Sequence, residues 1–375
     1  MTTCALRDIF RVNLGVKKHE ALLLFTDIIS DRERLPEADE DRRTKLRCLA
    51  VLLSEIAKSY CDSVIYHEYA ATGSHGAEPP AQLWELAFGT RIVKRLVKER
   101  LFQPILQKTA EAEVIRKAEE IIRTYKDDAV DCIVALSNYS TSHTKFRDFL
   151  TRLCGCRYAS MPLFEVSMLE GSMNIDWKEL AERTTELANL VNKAEAVSIR
   201  TPNGTSISFS KKGRKALADT GILTRKGSFG NLPAGEVFFA PVEGTANGRL
   251  VVEWGPTKRL SEPMVFTVKD GIAVDVSGGD DYVSYLKERL DERQENRNIA
   301  ELGIGTNLAA KRPDNILESE KILGTIHIAL GDNSSFGGRV KAPFHQDFVF
   351  FRPTVTLIYG DGSKRAILKG GKIQI

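Results

Sequence analysis

Glu236, Glu301, His327, His345 and Asp347 each stand inside an apolar or glycine-rich run, and this placement limits what the chain can fold into more than any other feature. The runs are Pro-Ala-Gly-Glu236-Val-Phe-Phe, Ala-Glu301-Leu-Gly-Ile-Gly, Thr-Ile-His327-Ile-Ala-Leu-Gly and Pro-Phe-His345-Gln-Asp347-Phe-Val-Phe-Phe. A carboxylate or imidazole carried into an apolar layer is costly unless something pairs with it. These are also the side chains that hold divalent Zn, Mn, Co or Fe. His345 and Asp347 are two apart, so in a strand they share a face, about 6.6 Å apart along the chain. His327 has an apolar strand of its own, Glu236 follows a Pro-Ala-Gly turn, and Glu301 precedes Gly303 and Gly305, where backbone can approach closely. Taken singly, each has a plain structural account, since a lone His in an apolar strand is commonly a hydrogen-bonded core residue. Five together point to a shared cation site.

The remaining composition narrows the alternatives. Basic and acidic residues nearly balance, 53 against 50, and no basic stripe is interleaved with aromatics, which argues against a nucleic-acid partner. No apolar run approaches the roughly 20 residues that span a bilayer. The N-terminal Met-Thr-Thr-Cys-Ala-Leu-Arg-Asp lacks the basic segment and apolar core of a secretion signal. The six cysteines are scattered without a CxxC pair, so the expectation is a reduced, cytoplasmic protein with buried thiols rather than disulfides.

Two textures divide the chain. In residues 1–175, apolar strands near 21–27, 63–66 and 131–136 alternate with helical periodicity over 39–60, 81–100, 111–125 and 143–153, predicting an α/β domain with a mostly parallel sheet. In residues 176–375, a helix over 178–195 leads into hairpins punctuated by Pro202-Asn203-Gly204, Asp270-Gly271 and Gly360-Asp361-Gly362, with a further helix over 281–293. This half is expected to be an antiparallel-rich α+β domain, and it holds every expected ligand. Gly303-Ile304-Gly305 lacks the third glycine of a dinucleotide loop, and Ser334-Ser335 lacks a nucleophile-elbow frame. Cys154-Gly155-Cys156 has the wrong spacing for zinc. His67 with Glu68 reads as a strand end, the His75 loop as an ordered loop, and His143 as a helix start.

Several segments resemble the aminopeptidase T family of metallo-aminopeptidases: Gly230 to Val237 with Ala240 to Gly244, Glu301 to Asn307, Leu323 to Gly331 and His345-Gln346-Asp347. Asn13 to Lys18 and Ser142 to Lys145 also look familial, so the likeness covers nearly the whole chain. The resemblance implies a two-domain, commonly dimeric hydrolase acting on peptides or small molecules. It implies two divalent ions (Zn, Co or Mn) held by Glu236, Glu301, His327, His345 and Asp347. Glu320 is matched as a further acidic ligand, and Glu301 as a bridging ligand or general base. The peptidases carry a catalytic Tyr shortly after the His327-type residue; residues 331–338 contain none, leaving Asn333 or Ser334 as stand-ins. The chain is similar to a shorter branch of the family that also resembles dihydroxypyridine ring-cleaving dioxygenases with mononuclear Fe(II). For that alternative, His327, His345 and Asp347 form a two-histidine, one-carboxylate set. A metal-binding homologue without catalysis is the third expectation.

Overall fold

The computed structural model describes residues 2–374 apart from Arg32 and Thr257. Two compact units result, one of residues 1–174 and 221–233, the other of residues 175–220 and 234–375. The sequence places one boundary near 175; in the structure, residues 221–233 return to the first unit.

The first unit is built on a five-stranded, wholly parallel sheet, in the order Ser63–Ala70, Ala21–Ile28, Cys132–Ala135, Arg157–Ser160, Phe229–Asn231. Its central strands are buried along their lengths, which explains their continuous apolar runs, because helices cover both faces of a parallel sheet. An aromatic cluster of Trp84, Phe88, Phe102, Phe146 and Phe149 fills one side. The helix expected over 81–100 is two helices, Ala81–Phe88 and Thr90–Lys98. Gly89 breaks it with φ +83°, and a β-carbon there would lie 2.9 Å from that of Asp128. A positive φ that glycine alone tolerates overrides the apolar periodicity on either side.

The second unit holds two antiparallel sheets. The larger has eight strands, and all three hairpins expected from the sequence lie in it. The smaller runs in the order His345–Phe350, Ile326–Gly331, Ile299–Gly305, Glu236–Phe239, Leu217–Asp219. Val197, Ile207, Leu250, Phe266, Val355 and Leu357 of the larger sheet join Val237, Phe239, Leu302, Ile304, Ile328 and Phe348 of the smaller in one buried apolar cluster. Helices Trp177–Asn192 and Asp281–Asp291 contribute Leu187, Val191, Leu286 and Leu290 to it. An α/β unit with a parallel sheet followed by an antiparallel-rich α+β unit is the fold class expected from the sequence. Among the described residues, no helix is long and apolar enough to cross a membrane, and all six cysteines are outside disulfides; Cys61, Cys132 and Cys156 are buried as expected, whereas Cys4 and Cys48 are exposed and Cys154 is half-buried.

Candidate metal centre

The smaller sheet sorts its residues by face. Register pairs Glu236 with Gly305, Gly303 with both Phe238 and His327, His327 with Val349, Ala329 with both Glu301 and Asp347, and Gly331 with His345. Side chains alternate along each strand, so Glu236, Glu301, His327, His345 and Asp347 all project from one face. The intervening Val237, Phe239, Leu302, Ile304, Ile326, Ile328, Leu330, Phe348 and Phe350 project from the other into the core. The ligand-type face is kept open by Gly303, Gly305, Ala329 and Gly331. Gly303 is indispensable to this arrangement: a β-carbon there would sit 1.9 Å from Cε1 of His327. A bulge between Ile299 and Glu301 shifts the ladder beside Glu301, a common way of re-aiming a side chain next to a site.

The five side chains form two groups that share Glu301. In the first, His327 Nε2 lies 3.4 Å from Glu236 Oε2 and 3.3 Å from Glu301 Oε1. In the second, His345 Nε2 lies 3.6 Å from Glu301 Oε2 and 3.4 Å from Asp347 Oδ2. Ligands bonded to one tetrahedral ion at about 2.0–2.2 Å stand about 3.3–3.6 Å from each other, which is the spacing found. The fit to cations has independent support: Glu236 Oε2, Asp347 Oδ1 and His327 Nδ1 are buried and have no hydrogen-bond partner, and buried polar atoms are rarely left so. The His345 ring is held by a hydrogen bond between Nδ1 and the Asp332 carbonyl, 2.8 Å. With its proton on Nδ1 the ring turns Nε2 toward Glu301 and Asp347, a common outer-sphere device.

Electrostatics in the bare protein point the same way. Burial works against charge on both rings, yet the hydrogen bond to Glu301 and the charges of Glu236, Glu320 and Asp347 push His327 up to about 9. Likewise burial opposes charge on His345, while the charge of Asp347, its hydrogen bond and Glu301 push that ring up to about 10. Burial raises Glu301. Asp347, despite its burial, is held well below the usual carboxylate range by His345. Without metal, protons on the imidazoles do the neutralising.

Glu320 does not belong to either group. It reaches the centre through Lys321, whose ammonium has no exposed surface and lies 2.7 Å from Glu236 Oε1 and 3.0 Å from Glu320 Oε2. Burial pushes Glu320 up to about 8 against the nearby Lys321 charge. Sequence reasoning missed Lys321, because Glu-Ser-Glu-Lys321 reads as a solvated charge run. Nor do Asn333 and Ser334 replace a tyrosine. Asn333 donates to Glu243 and accepts from the Val340 amide, and Ser334 bonds Asp332, so both tie down their own loop. His67, His75 and His143 lie in the first unit, apart from these groups. The expected His327–His345–Asp347 set is not one group among the described residues, since the two histidines stand on opposite sides of Glu301.

Residues 98–374 match the family model of 2,5-dihydroxypyridine 5,6-dioxygenase (NicX). Among solved structures, the 2,5-dihydroxypyridine dioxygenase of Pseudomonas putida KT2440 is similar over 100% of this chain and 96% of that one, with a TM-score of 0.68 and 16% identity. Wild-type AmpT from Thermus thermophilus is similar over 100% and 99%, with a TM-score of 0.58 and 17% identity. No curated protein matches the chain.

Two outcomes follow from the geometry. Metal binds neutral imidazole, so loading chelator-stripped protein with Zn(II) at pH 7.5 should release about two protons, one from each ring. Calorimetry in buffers of different ionisation enthalpy measures this, and zero release would contradict the charged histidines. Because both folded-state values lie above the ordinary 6.5, their contribution to stability is complete below that pH and is lost as pH rises through 9–10. Thermal unfolding of the stripped protein should accordingly occur at lower temperature at pH 10 than at pH 6.5. Second, Gly303→Ala should displace His327 and reduce Zn(II) uptake while circular dichroism stays unchanged; full uptake would contradict the close approach.

Proposed function

The chain belongs to the 2,5-dihydroxypyridine 5,6-dioxygenase (NicX) family; from the geometry of its centre and the likeness to AmpT we propose a metal-dependent aminopeptidase that hydrolyses residues from a free peptide N-terminus. One fold can host unrelated chemistries, so function has to be argued from the site. The observation that carries the reading is the position of Glu301, whose two oxygens face different histidines, Oε1 toward His327 and Oε2 toward His345. That is the disposition of a carboxylate shared by two cations, each completed by one histidine and one further carboxylate, Glu236 or Asp347. A pair of divalent ions held there would supply Lewis acidity to a carbonyl and lower the pKa of a bound water.

The chain's own groups divide the remaining work. Glu301 would hold both ions, because each of its oxygens faces a different histidine. Glu320 is the carboxyl left over for proton transfer: it adjoins the centre through Lys321 and belongs to neither ligand group. The Asp332 carbonyl fixes the His345 ring. Phe336 stands edge-on to that ring at 6.1 Å and against Phe238 at 5.7 Å, giving the neighbourhood an apolar wall.

A second reading has an observation of its own. Lys321 pairs with both Glu236 and Glu320 and so takes Glu236 up without a metal, leaving Glu301, His345 and Asp347 as the set for a single ion. The family and its P. putida structural neighbour then suggest Fe(II) and a dihydroxylated ring. Against it stands the ligand set, with one histidine and two carboxylates where ring-opening non-haem iron sites commonly use two histidines and one.

Leucyl-p-nitroanilide hydrolysis should be lost on chelation and restored by Zn(II) or Co(II). Glu301→Gln or His345→Ala should lower kcat/KM by more than the roughly 10–100-fold that loss of an outer-sphere partner costs. Full activity in His345→Ala would reject the site. Oxygen uptake with a dihydroxypyridine and Fe(II), with no amide hydrolysis, would establish the second reading instead.

A further inference from the structure

Lys321 is held as firmly as any residue of the second unit. Its amide donates to Glu318 O at 3.0 Å, and its carbonyl accepts from the Asn307 amide at 2.9 Å. The following turn is pressed so close to Gly305 that a β-carbon there would lie 2.1 Å from Ile322 O. With the backbone held on both sides, the ammonium has no exposed surface, and a buried charge of this kind stays only where it is paired. It occupies one oxygen of Glu236 and leaves Oε2 facing His327. The other ligand group is different. Among the described residues, neither Glu301 nor Asp347 forms an ion pair with lysine or arginine, and His345 is already oriented by Asp332.

We propose that Lys321 is a fixed cation that makes the two metal positions unequal: the Glu301–His345–Asp347 position fills first and tightly, the Glu236–Glu301–His327 position later and weakly. This rests on the metal-centre reading given above. An ion at the second position shares Glu236 with the paired Lys321 ammonium and meets its repulsion at close range, whereas at the first position the Lys321 charge acts on Asp347 without pairing with it and Glu301 is common to both positions. The number of ions on the chain then follows free metal concentration, and one sequence can present a mononuclear or a dinuclear centre.

The test is titration of chelator-stripped, full-length protein with Zn(II) alone, followed by calorimetry and elemental analysis of the isolated protein. The expected result is one tight ion and a second bound at least about tenfold more weakly. The paired variant Lys321→Met/Glu320→Gln removes a charge of each sign, so no carboxylate loses its only partner without compensation, and circular dichroism checks its fold. In that variant the second ion should bind at least about tenfold more tightly than in the parent, with the first affinity nearly unchanged. Two ions of equal affinity in the parent would overturn the proposal and leave the metal centre standing, as would a variant whose second affinity stays within twofold of the parent's. Failure to bind any Zn(II) would overturn the centre and the proposal together.

Discussion

Five carboxyl groups, those of Asp219, Glu236, Glu301, Glu320 and Asp347, and two imidazoles lie buried or half-buried around one face of a five-stranded antiparallel sheet, with the Lys321 ammonium among them. The rest of the second unit depends on neutralising them. Strand alternation makes the arrangement compulsory: once Leu302, Ile304, Ile328 and Phe348 enter the core, Glu301, His327 and Asp347 must leave by the other face. Bare carboxylates in such a layer repel one another and lose their hydration. Protons on the histidines partly compensate, Lys321 compensates further, and divalent cations would complete the balance. Several oxygens left without a hydrogen bond mark where that completion belongs.

The same constraint links fold to chemistry. Glycine and alanine opposite the ligand side chains are needed for space, and the apolar strand residues between them are needed for the core, so one pattern of alternation serves both. The loop between the last two strands of the smaller sheet is fixed by Asn333, Glu243 and the Arg339 amide, with Arg214 pairing to Glu243. That loop supplies both the Asp332 carbonyl behind His345 and the Phe336 ring beside it. Outer-sphere order therefore reaches the ligands through backbone as much as through side chains. The fold is common to a dioxygenase and to AmpT, so the proposed chemistry rests on the site itself, where Glu301 lies between two histidines and Lys321 pairs with Glu236.

Much of this was legible in the sequence, for identifiable reasons. Apolar strands carrying Glu301, His327 and Asp347 violate the expected pattern in a way that only partners can repair, so the residues that the fold gathers on one face could be picked out before the fold was known. Hairpins were marked by Asn203-Gly204 and Asp270-Gly271 because left-handed backbone requires such residues; Asp270 and Gly271 indeed have φ of 47° and 81°. What escaped depended on tertiary contacts. The break at Gly89 hides in an apolar periodicity that continues on both sides. Residues 221–233 rejoin the first unit through a three-residue strand too short to show a pattern. Lys321 was not singled out because its burial depends on a partner that local sequence does not mark: Glu236 is 85 residues away. Asn333 looked available because nothing local announces its bonds to Glu243 and Val340.

The most direct test of the central claim is an anomalous difference map from crystals of the protein saturated with Zn(II). The account requires two peaks flanking the Glu301 carboxylate, about 3.5–4 Å apart, one coordinated by His327 Nε2 and the other by His345 Nε2. Peaks on unrelated surface residues, or no peak beside Glu301, would contradict it.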